Sequence, residues 1–309
     1  MSHLIPIEFD THTYISYSDM QKRVIQAYKA PHQWVNGPPG LGDFVRGIAH
    51  LVEKLQGSGI EFRVDISQTG FASLIEQDPA IFHRGEEARI AAAEEYFVDH
   101  QALHNRLVAF LHSSENELYI CTNVGAWNRT TLPLAAREFA KKFYCFHTEI
   151  ERQVKIELQA DAYEVLSVRC GDRFYNDTTT AANQAVSPIV YKLIEQQVLP
   201  RARKPVVITS DCHPLKLELS KRYGMLTLPH RSQHGAFGNV LPVAMDMCML
   251  KNSSSLHHIN LWATWWSGFS HYTSVIFRIP SVNFRAPVFA REEITVQGEL
   301  ITTELIDLS

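Results

Sequence analysis

The chain has 309 residues, of which 45% are hydrophobic and 20% are charged, and its formal net charge is -4. A length above about 250–300 residues favours two domains, and a mildly acidic chain without a basic run argues against a nucleic-acid partner. Residues 1–10 lack the pattern of a secretory signal, and no segment approaches about 20 apolar residues, so we expect a cytoplasmic protein without a membrane span.

The first half of the chain is predicted to alternate strands and helices. Residues 1–30 show little periodicity, with a short helix over 18–30, and a first strand over 33–36 runs into the glycine turn 37–43. Apolar residues then recur at helical spacing over 44–55. The pattern further predicts strands at 61–66 and 118–121 and helices at 84–111 and 132–144.

A second series of alternating elements follows. It comprises strands at 165–168, 205–209, 225–228 and 256–259, helices at 187–198, 214–223 and 240–250, and a last helix opened by the turn 262–272. Strands alternating with helices of this length predict an α/β protein with a parallel sheet in each half. We place the domain boundary in the charged stretch 148–160, which gives domains of residues 1–150 and 151–309. The strand-like tail after residue 282 is not placed.

The segment Gly40-Leu41-Gly42-Asp43 is the first candidate for chemistry. It is neither a P-loop, because no Lys-Ser/Thr pair follows, nor a dinucleotide fingerprint, because the third glycine is missing. Asp43 could simply cap the following helix. Alternatively, it is a carboxylate at the carboxyl end of the first strand, where a general base is well placed.

Arg169 ends an apolar strand and is followed by Cys170-Gly171-Asp172. Ligands of open α/β sheets bind at the carboxyl ends of the strands, and arginine offers fixed donors to phosphates or carboxylates. Arg169 is therefore a candidate phosphate ligand. The alternative is an ion pair with Asp172 on a loop.

Two later segments add polar groups near strand ends. Ser210 and Asp211 follow a strong strand, although Asp211 could instead cap the next helix. In the stretch 265–271, small residues including Ser267, Gly268 and Ser270 precede a helix, which is typical of a phosphate site. The two tryptophans of that stretch could be core residues. His230 and His234 are four apart in a glycine-containing loop, which does not favour a metal site.

With these segments in order, the chain resembles the fucosyltransferase-like branch of the GT-B glycosyltransferases, of the nodulation and protein O-fucosyltransferase type. Gly40-Leu41-Gly42-Asp43 is similar to the family's N-terminal glycine loop, and the stretch 167–172 is similar to its His-x-Arg-Arg-x-Asp motif. The stretch from Asp246 to Ser267-Gly268-Phe269-Ser270 is similar to its closing motif. The resemblance covers most of residues 33–278.

The resemblance implies a GT-B fold in which two Rossmann-like domains face each other across a cleft. Residues 1–150 would bind a glycan acceptor, and residues 151–309 a nucleotide-sugar donor. Arg169 is implied as a diphosphate ligand, and Asp246 as a nucleoside contact. Ser267 and Ser270 are implied as further phosphate contacts. The other predicted donor contacts are Gly40, Gly42, Asp172, Gly268 and Phe269, together with Ser210 and Asp211, which would read a ribose or base at their strand end. The family inverts the anomeric centre and needs no metal or other cofactor.

Two departures from the family motif bear on the donor. Ser167 stands in place of its histidine, and Cys170 in place of its second arginine. The donor is thus GDP-fucose or another nucleotide sugar such as UDP-xylose. Asp43 also resembles the aspartate of lipopolysaccharide heptosyltransferases, a second GT-B group. The other alternative is a non-catalytic nucleotide- or sugar-binding protein of the same architecture, whereas a sugar-nucleotide epimerase lacks support because its glycine and Tyr-x-x-x-Lys motifs are missing.

Overall fold

The computed structural model describes residues 21–28, 40–85, 96–97, 99–125, 130–170, 188–231, 239–261, 268–285 and 303–305. The strands are β1 (Arg23–Ala27), β2 (Glu61–Asp65), β3 (Tyr96–Phe97), β4 (Glu117–Thr122), β5 (Glu164–Arg169), β6 (Val206–Ser210), β7 (Leu256–Asn260), β8 (Ser281–Arg285) and β9 (Thr303–Leu305). The α-helices are α1 (Leu41–Leu55), α2 (His100–His112), α3 (Leu134–Lys142), α4 (Thr148–Leu158), α5 (His213–Tyr223), α6 (Leu241–Lys251) and α7 (Gly268–Phe277). A helical segment over 188–198 ends in a π-helical turn, Ile194–Val198.

The described strands form two parallel sheets. The first has the order β2-β1-β4-β3, and the second has the order β6-β5-β7-β8-β9. Each pairing within them is parallel. This confirms the predicted α/β class with a parallel sheet in each half of the chain.

Several predicted elements need correction. The helix expected over 18–30 is wrong, because Arg23–Ala27 is a strand at the centre of the first sheet with a nearly fully buried pattern. The predicted continuous helix 84–111 is interrupted by the short strand β3, and the described helix after it begins at His100. Residues 86–95 of that prediction lie outside the described residues. The predicted strand 225–228 is a single bridge from Leu226 to Val207. The predicted first strand, 33–36, lies outside the described residues.

Two segments of the C-terminal tail are strands of the second sheet. Ser281–Arg285 pairs with β7, and Thr303–Leu305 pairs with β8 in turn. Alternating, half-apolar residues suit such a position because successive side chains point to opposite faces of a sheet. The tail therefore extends the sheet that contains Arg169.

The two faces of β5 contact different helices. Val165 belongs to the hydrophobic cluster that includes α6 and α7, whereas Leu166 and Val168 belong to a second cluster with α5 and the segment 188–198. Side chains alternate along a strand. Ser167 and Arg169 therefore lie on the face that is covered by α6 and α7.

Helices join the two halves of the chain. Helix α7 packs against α1 and α3, and α6 packs against α4. The hydroxyl of Tyr144 is 2.9 Å from the hydroxyl of Thr273, and Lys251 Nζ donates to the Tyr144 carbonyl at 2.8 Å. One hydrophobic cluster runs through both halves. The division at residue 150 stays a prediction.

Helix α1 lies unusually close to the first sheet at Gly47. A Cβ atom on Gly47 would lie 1.9 Å from the Thr122 carbonyl oxygen. The buried Gln26 side chain bonds the same region, since its Nε2 donates to the carbonyls of Phe44 at 3.2 Å and Thr122 at 3.0 Å. The absence of a side chain at position 47 thus sets the distance between α1 and β4.

We expect Gly47→Ala to destabilise the fold by about 2 kcal/mol or more, because overpacking against a backbone atom outweighs the better helix propensity of alanine. Urea denaturation measures the change. Gly57→Ala is the control: its φ of +80° strains the variant, but nothing lies within 4 Å of the added atom, so the cost stays near about 1 kcal/mol. A Gly47→Ala protein as stable as the parent would contradict this packing.

Candidate functional site

The candidate site begins where the first turns of α1 and α7 touch. A Cβ atom on Gly42 would lie 2.2 Å from the backbone nitrogen of Phe269 and 2.3 Å from the carbonyl carbon of Gly268. A Cβ atom on Gly268 would lie 3.5 Å from Asp43 Oδ1. Two glycine segments that are more than 200 residues apart in the chain therefore meet backbone to backbone. The structure brings together four predicted site residues: Gly42, Asp43, Gly268 and Phe269.

Asp43 lies in the first turn of α1, where the helix dipole favours a negative charge. The N-cap residue is Gly40, and Asp43 stands three residues after it. Asp43 Oδ1 is 3.4 Å from Nη2 of Arg46. The Arg46 side chain is buried, and its Nε donates to the Asn123 carbonyl at 2.6 Å. This ion pair holds a partly exposed carboxylate beside the start of α7.

Beneath α7, a chain of buried hydroxyls connects the helix to the second sheet. Ser167 Oγ donates to Ser270 Oγ at 3.1 Å, and Ser270 Oγ lies 3.1 Å from Nδ1 of His258. If Ser270 donates to His258, the imidazole is neutral with its hydrogen on Nε2. Burial lowers the pKa of His258 to about 3, and the neighbouring His271 and His257 add to this effect. Ser270 thus anchors α7 over β5 through its side chain.

Arg169, at the end of β5, is paired with Asp211. Its Nη1 donates to Asp211 Oδ2 at 2.8 Å, while the Cys170 N–H donates to Oδ1 at 2.7 Å. Asp211 is therefore not the N-cap of α5, which is Cys212. The pairing fixes the arginine at the carboxyl edge of the sheet, where about a fifth of its side chain is exposed.

Ser210 and Cys170 lie on the other face of the sheet from Arg169. The Ser210 hydroxyl accepts from the N–H of Cys212 at 3.1 Å, so it shapes the turn after β6. A hydrogen bond with Cys212 and burial raise the pKa of Cys170 well above its usual value. A neutral thiol therefore stands where the family motif has its second arginine.

The carboxyl edge of the second sheet carries a row of polar positions. Arg169 is in register with Asn260 of β7, on the face toward α7. Asn260 is buried, and its Nδ2 is 3.4 Å from Asn283 Oδ1. The Oδ1 atom of Asn260 accepts no hydrogen bond from the described residues. Because Ser270 sits over Ser167, two residues before Arg169, the start of α7 and this row share one edge.

Asp246 belongs to a separate group of buried charges. Its Oδ1 is 3.1 Å from Nε2 of His230. Nζ of the buried Lys216 donates to the Leu228 carbonyl at 3.1 Å and also to the His230 carbonyl. Burial lowers the pKa of Lys216, and the Asp246 carboxylate opposes that shift. The predicted nucleoside contact at Asp246 therefore lies in a network that ties α6 to the loop after Leu228.

Some predicted residues lie outside the described ranges. These are Asp172, Ser267, His234 and both tryptophans of the closing motif, Trp265 and Trp266. In the ranges that the structure does describe, no group of three or more histidine, cysteine, aspartate or glutamate residues could hold a metal ion. No helix in those ranges is both long and apolar enough to cross a lipid bilayer.

Sequence reasoning missed three residues of this region: Arg46, Asn260 and Lys216. Arg46 lies one turn after Asp43 on an otherwise apolar helix face, and that spacing is a usable signal for an i,i+3 ion pair. Asn260 ends a buried strand, as Arg169 does. Lys216 gave no signal, because a lysine on a helix is usually exposed.

Comparisons with known proteins define a fold rather than a sequence family. No family model matches the chain, and a search of curated proteins finds no match. Among solved structures, the chain is similar in fold to fucosyltransferases. The predicted α/β fold with parallel sheets is thereby confirmed, and the arrangement of two domains across a cleft stays a prediction.

The similar structures include two of NodZ. For the fucosyltransferase NodZ from Bradyrhizobium, the TM-score is 0.54 at 14% sequence identity, and the match covers 85% of this chain and 94% of that one. For NodZ alpha-1,6-fucosyltransferase soaked with GDP-fucose, the TM-score is 0.52 at 15% sequence identity. That match covers 85% of this chain and 95% of the NodZ chain. At this identity, the likeness establishes a shared fold.

We expect the buried neutral His258 to make stability depend on pH. Its pKa is about 3 in the folded chain and near 6.5 in the unfolded chain, so only the unfolded state gains this proton as pH falls below 6.5. Between pH 7.5 and 5.0 this costs about 2 kcal/mol. Urea denaturation should show that loss in the parent but not in His258→Asn.

The exposed His112→Asn on α2 is the matched control, and it should keep the parent's pH dependence. An unchanged pH dependence in His258→Asn would show that His258 titrates normally in the folded chain.

Proposed function

We propose that the protein is an inverting, metal-independent glycosyltransferase that moves a sugar from a nucleotide diphosphate sugar to a glycan hydroxyl. The observation that carries the proposal is the backbone contact of Gly42 with Gly268 and Phe269, which sets the Asp43 carboxylate beside the start of α7. The NodZ structure soaked with GDP-fucose shares this fold and supports a nucleotide-sugar donor.

Asp43 is the proposed general base. It takes the proton of an acceptor hydroxyl, and the oxygen then attacks the anomeric carbon as the bond to the diphosphate breaks. The electron pair of that bond leaves with the nucleotide diphosphate. Such a base requires a fixed position within hydrogen-bond reach of the acceptor, and the ion pair with the buried Arg46 supplies a fixed position.

Arg169 is the proposed ligand of the leaving diphosphate. Without a metal, the developing charge on the diphosphate must be stabilised by cationic and N–H donors. Asp211 holds the guanidinium in place through Nη1, and arginine has five N–H donors in all. Asn260, in register with Arg169, adds an amide at the same edge of the sheet.

The donor is proposed to be GDP-fucose or another nucleotide sugar such as UDP-xylose, because Cys170 replaces the family's second arginine. A melting series with GDP, UDP, ADP and dTDP identifies the nucleotide, since a ligand that binds the native state raises the melting temperature.

One observation favours a second function, that of a binding protein without catalysis. Arg169 already has an anionic partner within the chain, the buried carboxylate of Asp211. A binding protein would shift its melting temperature with a nucleotide but would release no nucleotide diphosphate from its sugar conjugate. Measuring that release separates the two functions.

We expect Asp43→Asn to lower the rate of sugar transfer by about 10²–10⁴-fold, because the amide cannot accept the acceptor's proton. Its affinity for the nucleotide diphosphate should stay close to that of the parent. Release of the nucleotide diphosphate from the matching sugar nucleotide, with a glycan mixture as acceptor, gives the rate. Calorimetry gives the affinity.

The control is Glu157→Gln on α4, which removes an exposed carboxylate far from the α1–α7 contact along the chain, and it should be as active as the parent. Near-normal transfer by Asp43→Asn would reject Asp43 as the base.

We expect Arg169→Ala to weaken binding of the nucleotide diphosphate. An unchanged affinity would reject the assignment of Arg169 as the phosphate ligand.

A further inference from the structure

A cavity of about 460 Å³ lies between the two halves of the chain. Its described lining comes from residues 130–132, from α3, from α7 and from the turn into β8. None of the predicted donor or catalytic residues is among these lining residues. The cavity follows α7 from His271 to the turn into β8, and Asn283 in its lining is 3.4 Å from Asn260, which is in register with Arg169.

The lining is cationic and rich in hydroxyl groups. It includes Arg137 and Arg278 together with Thr130, Thr131 and Ser274, and no aspartate or glutamate is among its described residues. The guanidinium group of arginine binds phosphate and carboxylate groups through two parallel hydrogen bonds. Hydroxyls and the nearby Asn283 amide suit a ligand with hydroxyls of its own.

Arg137 is the main argument for an anion. Its side chain is only 9% exposed, yet its one ionic partner among the described residues is Glu138, whose carboxylate is 3.4 Å from Nε and 52% exposed. The same Glu138 oxygen is shared with Lys141 at 2.8 Å. A buried charge normally has a close and well-bonded partner, and this guanidinium lacks one within the described chain.

Arg278 approaches the cavity from the other half. Its backbone has a φ of 56°, a left-handed conformation that is unfavourable for a residue with a side chain. It ends α7 and directs the chain into β8. No ion pair of Arg278 is formed with the described residues, so its charge is also available to a ligand at the cavity.

We propose that this cavity is a second binding site, which takes a small organic anion of sugar size bearing a phosphate or a carboxylate. The volume falls within the range of about 300–1,000 Å³ that is usual for small-molecule sites and exceeds what a bare inorganic anion would fill. Because Arg137 belongs to the first half and Arg278 to the second, the ligand bridges the halves. The proposal goes beyond glycosyl transfer and does not depend on it.

Calorimetry on the full chain tests the site with four probes at constant ionic strength: glucose 6-phosphate, glucuronate, inorganic phosphate and glucose. We expect at least one of the two sugar anions to bind more tightly than inorganic phosphate, and glucose not to bind. The bound sugar anion reveals whether phosphate or carboxylate is preferred. Arg278→Gln and Arg137→Gln should each weaken it by about tenfold or more.

Two variants serve as controls. Arg152→Gln removes an exposed arginine on α4, and Arg169→Ala alters the proposed donor site; both should keep the parent's affinity for the sugar anion. Arg278 is exposed, so its variant remains informative if Arg137→Gln fails to fold. The proposal is overturned if neither sugar anion binds, if glucose binds equally well, if Arg278→Gln keeps full affinity, or if Arg169→Ala abolishes binding.

Discussion

The backbone contact between α1 and α7 is the constraint on which the rest of the candidate site depends. Helices normally pack with 8–10 Å between their axes because side chains separate them. At Gly42 and Gly268 no side chain intervenes, and a methyl group on Gly42 would collide with the backbone of Gly268 and Phe269. This closeness sets Asp43, from the first half of the chain, beside the start of α7.

Buried polar groups then fix α7 over that sheet. Ser270 bonds to Ser167 and His258, and Thr273 bonds to Tyr144 of the first half. Groups of this kind are costly unless their partners are satisfied, so they define one position for the helix. The α7 residues of the closing motif therefore make close backbone contacts at Gly268 and Phe269 and an anchoring side-chain bond at Ser270.

The sequence predicted the sheet class, most helices and the residues that meet at the α1–α7 contact, because hydrophobic periodicity and glycine turns are local signals. It failed at Arg23–Ala27, where a short strand is stabilised by neighbours on both sides and local pattern says little. It could not predict that Asp211 pairs with Arg169 or that Lys216 is buried, because both depend on contacts between distant segments. The likeness of the motifs to the fucosyltransferase type did anticipate the fold.

The central claim is that the α1–α7 contact and the carboxyl edge of the second sheet form one nucleotide-sugar site. A crystal structure of the protein with its tightest-binding nucleotide diphosphate tests this most directly. We predict the diphosphate within hydrogen-bond distance of Arg169, next to the start of α7 and on the same side as Asp43. A diphosphate bound elsewhere, with the Arg169–Asp211 pair unchanged and no ligand at this edge, would contradict the account.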